Sequence, residues 1–206
     1  MAPFLDIQNL SCGYSSGFRV HDINLSLDEG SFAGIIGPNG SGKTTLFRGI
    51  SGTLPLKEGH ILLEGTDLSK LTWREKAQKL AIVSQFSETA ELSVEEYVLM
   101  GRLPYRQQFQ FFDRKEDIEI AHHYMHLTNT YRLRNKAMTE LSGGERQMAN
   151  IACALSQHPR LLLLDEPTSH LDITHQIRFM NLIQRLNEEM KLSVMMIIHD
   201  LSLAAE

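Results

Sequence analysis

The sequence contains few of the features that mark secreted or membrane-spanning chains. Its 206 residues include two cysteines, Cys12 and Cys153, which are too few for a disulfide framework and favour a reducing compartment. The longest apolar runs, 161–164 and 194–198, are far shorter than the roughly 20 residues that cross a bilayer. The first residues show no basic segment followed by an apolar one, as a secretory signal would. These absences predict a soluble, intracellular protein.

An excess of positive charge is also absent. The chain has 20 Lys and Arg against 25 Asp and Glu, a formal net charge of −5, which argues against nucleic-acid binding through a broad basic surface. Hydrophobic residues at 42% and charged residues at 22% are ordinary globular values. At roughly 150 residues per domain the length fits one domain, and we expect no nucleic-acid partner.

Two kinds of strand signal are present. The segments 4–11, 19–27 and 60–64 are separated by Gly-rich or Ser-rich turns and predict an antiparallel sheet. The segments 32–36, 80–83, 161–164 and 194–198 are continuously apolar, as strands of a helix-covered parallel sheet must be. The sequence therefore predicts an α/β fold with a parallel core and an antiparallel β edge.

The helical signals fall mainly in one block. Candidate helices cover 95–100, 114–128 and 145–155, between two core strands. A further amphipathic helix is indicated by a recurring apolar set: Ile177, Met180, Ile183, Leu186 and Met190. We expect one domain over 1–206, in which 1–87 and 156–206 form the core with its β subdomain and 88–155 form a helical insert.

The first chemical motif is a glycine-rich loop between the apolar segment 32–36 and a helix start. It matches the P-loop pattern with Gly37, Pro38, Asn39, Gly40, Ser41, Gly42, Lys43 and Thr44, followed by Thr45. Such a loop turns backbone N–H groups toward phosphate oxygens at a helix N-terminus, which favours anions. Lys43 would contact the β- and γ-phosphates and Thr44 would ligate Mg²⁺. Alone, the motif leaves kinase, GTPase and ATPase open.

A pair of carboxylates follows another apolar strand. Asp165 and Glu166 end the run 161–164, which would deliver Asp165 to the Mg²⁺ shell and leave Glu166 at the strand tip to polarise an attacking water. A buried strand ending in a solvated acidic turn is the alternative. Beside a P-loop, the catalytic interpretation is favoured.

A third motif decides the class of nucleotide-binding protein. It reads Leu141, Ser142, Gly143, Gly144 and Glu145, and a serine hydroxyl with two glycine amides opening a helix would form a second anion site. With the other two motifs, the sequence resembles the ABC-transporter ATPase family along essentially the whole chain. The resemblance implies a P-loop NTPase (RecA-like) core. It also implies that this signature closes over the γ-phosphate of ATP bound to the other subunit of a dimer.

The resemblance assigns further residues individually. Tyr14 corresponds to the aromatic that stacks on adenine, Gln85 to the glutamine that contacts Mg²⁺ and the attacking water, and His199 to the histidine that contacts the γ-phosphate. An interface loop corresponds to Ser169, His170, Leu171 and Asp172. The ordinary alternatives are an aromatic packed on a turn, a polar strand end and an unremarkable histidine after a strand.

One segment indicates a branch of the family. Gly101, Arg102 and Pro104 resemble a Gly-Arg-x-Pro segment of ATPases that serve iron–siderophore, haem and cobalamin importers, and His175-Gln176 fits the same branch. Zinc and manganese importers share parts of this pattern. The resemblance implies an ATP-hydrolysing importer subunit that uses Mg²⁺. It would pair with a second ATPase subunit and dock on transmembrane permease subunits at the cytoplasmic face of the inner membrane. A solute-binding protein would be an indirect partner.

Two other functions and one structural question remain open at this stage. A non-transport ABC ATPase acting as a clamp on ribosomes or DNA is one alternative, and a P-loop small-molecule kinase, which leaves the signature unexplained, is another. Family members usually continue some tens of residues beyond the histidine that matches His199, whereas this sequence ends at Glu206. The sequence therefore favours a truncated C-terminal end, or else a natural short form.

Overall fold

The computed structural model describes residues 2–14, 17, 19–84, 91–108, 110, 112–169 and 171–198. Its strands are β1 Leu5–Gly13, β2 Arg19–Leu27, β3 Phe32–Ile36, β4 Leu56–Leu63, β5 Thr66–Asp67, β6 Leu80–Val83, β7 Leu161–Asp165 and β8 Ser193–Ile198. Its α-helices are α1 Lys43–Ser51, α2 Trp73–Lys79, α3 Val94–Leu99, α4 Lys115–Leu127, α5 Gly143–Ser156 and α6 Ile173–Met190. Within these ranges, no helix combines the length and the apolar character needed to cross a membrane.

The predicted antiparallel sheet is confirmed. Its strand order is β2-β1-β4-β5, and Leu5 of β1 pairs with Leu27 on one side and Leu63 on the other. One face packs on α1 through Leu46, Phe47 and Ile50, which belong to the same buried cluster as the β1 side chains. This sheet thereby holds the helix that follows the P-loop.

The parallel sheet is the second predicted layer, and it has the order β3-β8-β7-β6. All residues of the two central strands, β7 and β8, are buried, which explains their continuously apolar sequences. Because side chains alternate along a strand, Leu161 and Leu163 join the cluster under the antiparallel sheet, whereas Leu162 and Leu164 join the cluster under the helices.

The three predicted helices of the middle segment are present as α3, α4 and α5, which pack on one another and share a buried cluster with one face of the parallel sheet. Capping boxes start α3 at Ser93 and α5 at Ser142. The helix α2 was not predicted, although Thr72 and Glu75 form a capping box at its start.

The predicted buried face of α6 is partly wrong. Ile183 and Leu186 are buried as expected, but Ile177 and Met190 are 50% and 46% exposed, while Phe179 is fully buried. At about 100° per residue, Met190 lies roughly 140° around the helix from Ile177, so a mean spacing below 3.6 residues cannot keep five side chains on one face. The core side is formed by Phe179, Leu182, Ile183 and Leu186.

The strand register sets the position of the candidate site. Asp165 of β7 pairs with Ile197 of β8, which pairs with Ile35 of β3, so the carboxyl ends of three parallel strands lie level. The P-loop follows β3 and Glu166 follows β7 at this edge. Carboxyl edges of parallel sheets are where α/β proteins bind ligands.

Candidate active site

The P-loop connects β3 to α1 with two left-handed glycines. Gly40 has φ +76° and Gly42, at the N-cap of α1, has φ +98°, a region that side chains with a Cβ rarely adopt. No side chain caps the helix, so its first backbone N–H groups are available to a bound anion. The loop and helix start form a pocket of about 250 Å³ lined by Asn39, Gly40, Gly42, Lys43, Thr44, Thr45 and Glu166.

Lys43 is the cation of this pocket. Its side chain is buried, and Nζ donates hydrogen bonds to the carbonyl oxygens of Gly37 at 2.8 Å and Pro38 at 3.0 Å. An ammonium has three donors, and these two bonds fix its position at the base of the loop while a third donor can serve a phosphate oxygen. Lys43 therefore both braces the loop and supplies positive charge.

Thr44 and Asp165 bring the P-loop and β7 together. The Thr44 hydroxyl donates to Oδ1 of Asp165 at 3.1 Å across 121 residues of sequence. Burial raises the pKa of Asp165, and the Glu166 charge raises it further, whereas the Thr44 hydrogen bond, Arg48 and Lys43 lower it. The carboxylate is thus held with little water around it, which is unfavourable unless a cation approaches.

These oxygens fit a magnesium ion. Mg²⁺ prefers oxygen ligands and usually takes one or two protein groups together with phosphate oxygens and water. Nowhere among the described residues do three or more His, Cys, Asp and Glu side chains gather as a self-sufficient metal site. A hydroxyl and a buried carboxylate beside a phosphate-sized pocket match a nucleotide-dependent ion rather than a structural one.

Glu166 lies directly after Asp165 in an unusual backbone conformation. Its φ is +48°, which is uncommon for a residue with a Cβ, and its side chain lines the P-loop pocket. The backbone N–H and the hydroxyl of Ser169 both donate to the Glu166 carbonyl, at 3.3 and 3.1 Å. The turn after β7 therefore directs this carboxylate into the pocket and joins it to the segment that follows.

Tyr14 lies at the end of β1. Its hydroxyl accepts a hydrogen bond of 2.7 Å from Arg48, which is on α1 one turn after Thr44. The phenol is therefore attached to the helix that carries the P-loop. Sequence reasoning missed Arg48, although its i+4 spacing from Thr44 places it on the same helix face.

The signature segment starts α5 with a capping box. The Ser142 hydroxyl accepts from the Glu145 N–H, while Oε2 of Glu145 accepts from the N–H and the hydroxyl of Ser142 at 3.1 and 2.8 Å. These hydrogen bonds from Ser142 lower the pKa of Glu145. Gly144 is required by packing, because a Cβ there would lie 2.6 Å from the His175 ring.

The predicted interface loop is tied to α6. Asp172 is the N-cap of α6, and its two carboxylate oxygens contact the backbone N–H and the ring of His175 at 2.9 and 2.8 Å. Gln176 donates from one amide group to the carbonyl oxygens of Thr168 and Leu171, both at 3.1 Å. Sequence reasoning noted His175 and Gln176 as branch markers and missed that they hold this loop.

The branch segment itself is structural. Arg102 is buried, donates to Asp117 at 2.9 Å and to the Ser156 carbonyl at 2.6 Å, and its guanidinium lies 3.9 Å from the Tyr105 ring centroid. It joins α4 to the carbonyl end of α5, where a positive charge is favourable.

Three predicted site residues, Gln85, His170 and His199, lie outside the described residues.

The signature does not line the pocket of its own P-loop. Gly144 and Glu145 line a different pocket, which has no residue in common with the one lined by Lys43 and Thr44. The starts of α1 and α5 therefore line separate pockets of one chain.

Comparison with known proteins identifies the same family as the motifs do. The family model for ABC transporters matches residues 20–169. The chain is 37% identical over 202 residues to the iron(3+)-hydroxamate import ATP-binding protein FhuC of Bacillus subtilis (strain 168), covering 98% of this chain and 75% of that protein. It is 36% identical over 198 residues to the ferric enterobactin transport ATP-binding protein FepC of Escherichia coli (strain K12), covering 96% and 73%.

Solved structures share the fold. A bacterial ABC transporter cassette with a dimeric structure superposes with a TM-score of 0.83 at 28% identity, covering 97% of this chain and 90% of that one. A nucleotide-free cassette of an ABC transporter, at 24% identity, has a TM-score of 0.87 and covers 98% and 83%. By its fold, its motifs and its relatives, this chain belongs to the ABC transporter family, as one of its ATP-binding, ATP-hydrolysing subunits.

Proposed function

We propose that the chain hydrolyses ATP as a dimer, with a second copy or a paired ATPase subunit, and that dimer closure drives an importer for an iron chelate, haem or cobalamin. Transmembrane permease subunits would dock at the cytoplasmic face of the membrane, near Gln85 and the helical insert 88–155. A solute-binding protein would supply the permease. The observation that supports this most is the contact of Thr44 with Asp165 beside Glu166, with the signature in a separate pocket.

The nucleotide would be bound mainly by the P-loop. Backbone N–H groups of residues 37–45, other than Pro38, would surround the β- and γ-phosphates. Lys43 would donate its remaining N–H to a phosphate oxygen, and Tyr14 would stack on adenine. Thr44, Asp165 and Gln85 would hold Mg²⁺, which when bound neutralises charge on the β- and γ-phosphate oxygens. Arg48 supports this arrangement because it fixes the Tyr14 hydroxyl to α1.

Glu166 would act as the general base. Its side chain lines the pocket of Lys43 and Thr44, so it can accept a proton from a water that attacks the γ-phosphate. The turn that bonds Ser169 to the Glu166 carbonyl would transmit movement of the interface loop, Ser169 to Asp172, to this base. His199 is proposed to contact the γ-phosphate, and Gln85 the attacking water.

The signature is proposed to act on the partner's nucleotide. Ser142, Gly143 and Gly144, flanked by Leu141 and Glu145, form a helix start that does not line the chain's own P-loop pocket. A helix start favours an anion. A second subunit arranged head to tail would place this end of α5 against its ATP, giving two composite sites per dimer.

The cargo is proposed from the relatives. The two curated relatives described above are named for import or transport of iron(3+)-hydroxamate and ferric enterobactin, and a third, from Bacillus anthracis, is named for petrobactin import. These names favour a ferric chelate over other solutes.

Uptake by cells tests the cargo together with the ATPase. A strain without this gene should lose accumulation of a ⁵⁵Fe-labelled siderophore, and the wild-type gene but not a Glu166→Gln allele should restore it. Labelled cobalamin is the parallel arm for the other cargo class. Unchanged uptake of ferric siderophores, haem and cobalamin in the deleted strain would reject the importer assignment.

A further inference from the structure

A second concave site lies beside the signature helix. Its volume is about 400 Å³, and it is formed by the 127–133 segment after α4, the start of α5 and one face of α6. This volume is within the range of small-molecule sites, roughly 300–1,000 Å³. Apolar side chains of Leu133, Met148 and Leu182 contribute to its lining. None of its lining residues lines the P-loop pocket, where ATP is proposed to bind.

The pocket is rich in cationic side chains. Arg132, Arg178 and Arg185 line it together with His175. Among the described residues, none of the three arginines forms an ion pair or a hydrogen bond, whereas Arg102, Arg106 and Arg160 each pair with a carboxylate. Three guanidinium groups in one concavity repel one another, and an anion would relieve that repulsion.

The acidic groups nearby are already engaged or lie outside the pocket. Glu145 lines the pocket and keeps its negative charge: two hydrogen bonds from Ser142 lower its pKa, and the charges of Lys136 and Arg132 lower it further. Asp172 pairs with His175. Glu188 and Glu189 lie one turn beyond Arg185 on α6, and neither is within ion-pair distance of it. Three arginines against one glutamate leave the pocket with an excess of positive charge, although the whole chain has a net charge of −5.

The spacing of the arginines indicates the kind of anion. Arg178 and Arg185 lie seven residues apart on the same face of α6, and their backbones are separated by about 10 Å along the helix axis. Arg132 approaches from the segment after α4. A single small anion can contact both ends of this row only if the two long side chains bend toward each other, whereas a ligand with two or more anionic groups can contact both with the side chains apart. Guanidinium groups bind phosphate and carboxylate oxygens in pairs of hydrogen bonds.

We infer that this pocket binds a small polyanion, a molecule with at least two phosphate or carboxylate groups. The ligand would contact α5 and α6, the helices that carry the signature and follow the interface loop. The inference does not rest on the proposed transport function, because it uses the arginines and no P-loop residue, although the signature residues Gly144 and Glu145 also line the pocket. The volume of about 400 Å³ favours a small molecule over an extended acidic segment of another protein.

Calorimetric titration tests the inference. The Lys43→Ala protein would be used, because that change removes the main phosphate-binding cation of the P-loop. Tripolyphosphate, citrate and orthophosphate would each be titrated without Mg²⁺. We expect binding of one tripolyphosphate or citrate per chain, with orthophosphate about tenfold weaker or more. The stronger of the first two identifies the phosphate or carboxylate character of the ligand.

Two charge-matched triple variants supply the control. Arg132→Gln, Arg178→Gln and Arg185→Gln together should weaken polyanion binding about tenfold or more. Arg19→Gln, Lys57→Gln and Lys70→Gln remove the same charge from exposed positions outside the pocket and should change it less than twofold. The single Arg178→Glu variant repeats the test with one substitution instead of three. Circular dichroism checks that each variant is folded.

Three results would overturn the inference. The first is a dissociation constant weaker than about 1 mM for both polyanions. The second is an equal loss in the two triple variants, which would indicate a general charge effect. The third is tighter binding of an octaglutamate peptide than of either small polyanion, with the same arginine dependence, which would assign the pocket to an acidic protein segment.

Discussion

Asp165 illustrates how a single residue can be held in an environment that disfavours its own charge. The residue is 6% exposed, its carboxylate accepts a hydrogen bond from Thr44, and burial raises its pKa. A raised pKa in the folded state means that the free energy of unfolding falls as pH rises from the ordinary aspartate pKa of 3.8 through the folded value. Above that window the loss is complete.

Asp165→Asn should therefore stabilise the nucleotide-free protein at pH 7 and prevent Mg²⁺-dependent hydrolysis. Asparagine can still accept the Thr44 hydrogen bond, and it carries no charge that burial would penalise. Each kcal/mol of unfolding free energy gained in this way raises Tm by about 2–4 °C. Thermal melts at decreasing pH should show this gain shrinking toward pH 3.8. The exposed Asp28→Asn removes the same charge as a control. A lower Tm for Asp165→Asn at pH 7 would contradict the burial argument.

Glu166→Gln should retain ATP binding and slow hydrolysis by roughly 10²–10⁴-fold, because the amide cannot accept the proton of the attacking water. It should also accumulate an ATP-bound dimer, visible by size-exclusion chromatography. Steady-state phosphate release gives the rate, with the exposed Glu58→Gln as the matched control. Hydrolysis within threefold of the wild-type rate would remove Glu166 from the role of base.

Among elements, the turn between β7 and α6 is bridged by the side chain of Gln176. Gln176 donates to the carbonyl oxygens of Thr168 and Leu171. Gln176→Leu should cost about 1–3 kcal/mol of unfolding free energy, since two hydrogen bonds of about 0.5–1.5 kcal/mol are lost. It should lower the ATPase rate while leaving the ATP affinity of the monomer unchanged.

Gln184→Leu is the matched control for this change, because Gln184 is exposed on the same helix and bonds only to Glu188 among described residues. Equilibrium urea unfolding and nucleotide titration separate the two effects. If both variants lose the same ATPase activity, the interface loop does not depend on Gln176.

Arg102 and Asp117 form a buried ion pair in the helical segment. Arg102→Met should destabilise the protein by about 3–5 kcal/mol because it leaves an unpaired buried carboxylate, and adding Asp117→Leu should recover much of that loss. Urea unfolding of the single and double variants measures this coupling. A single-variant cost below 1 kcal/mol would show that the pair is not a structural anchor.

The extent to which the elements could be predicted follows from their periodicity. Strands β7 and β8 were predicted because they are apolar on both faces. Helix α4 was predicted because its helical signal extends over residues 114–128. The contacts of Arg102, Arg48 and Gln176 were not predictable, since each joins segments distant in sequence or depends on a turn geometry that has no periodic signal. The α6 face was partly mispredicted because the apolar spacing of Ile177 to Met190 is shorter than the helical period.

The candidate site was predictable where a motif is contiguous. Each of three motifs consists of consecutive residues whose types indicate their chemistry: the P-loop, the Asp165-Glu166 pair and the signature. The separation of the signature from its own P-loop pocket could not be read from a single motif, because it depends on how α5 and the parallel sheet pack through the buried cluster they share. That packing leads to the proposed composite site of two subunits.

At the scale of the whole molecule, each proposed active site is built from two chains. Lys43→Ala disables the P-loop of one subunit and Ser142→Arg disables the signature of the other. Their mixed dimer would contain one intact site, with the P-loop from the Ser142→Arg chain and the signature from the Lys43→Ala chain. Ser93→Arg controls for the lost cap, because Ser93 forms the same capping box on α3.

The most direct test is the ATPase rate of these two variants, alone and mixed in equal amounts. Each alone should be nearly inactive, and the mixture should recover up to about a quarter of the wild-type rate, since half of randomly formed dimers are mixed and each has one of two sites. Ser93→Arg should remain active by itself. No recovery at any mixing ratio, or a loss of monomer ATP affinity in Ser142→Arg equal to that in Lys43→Ala, would contradict the shared site.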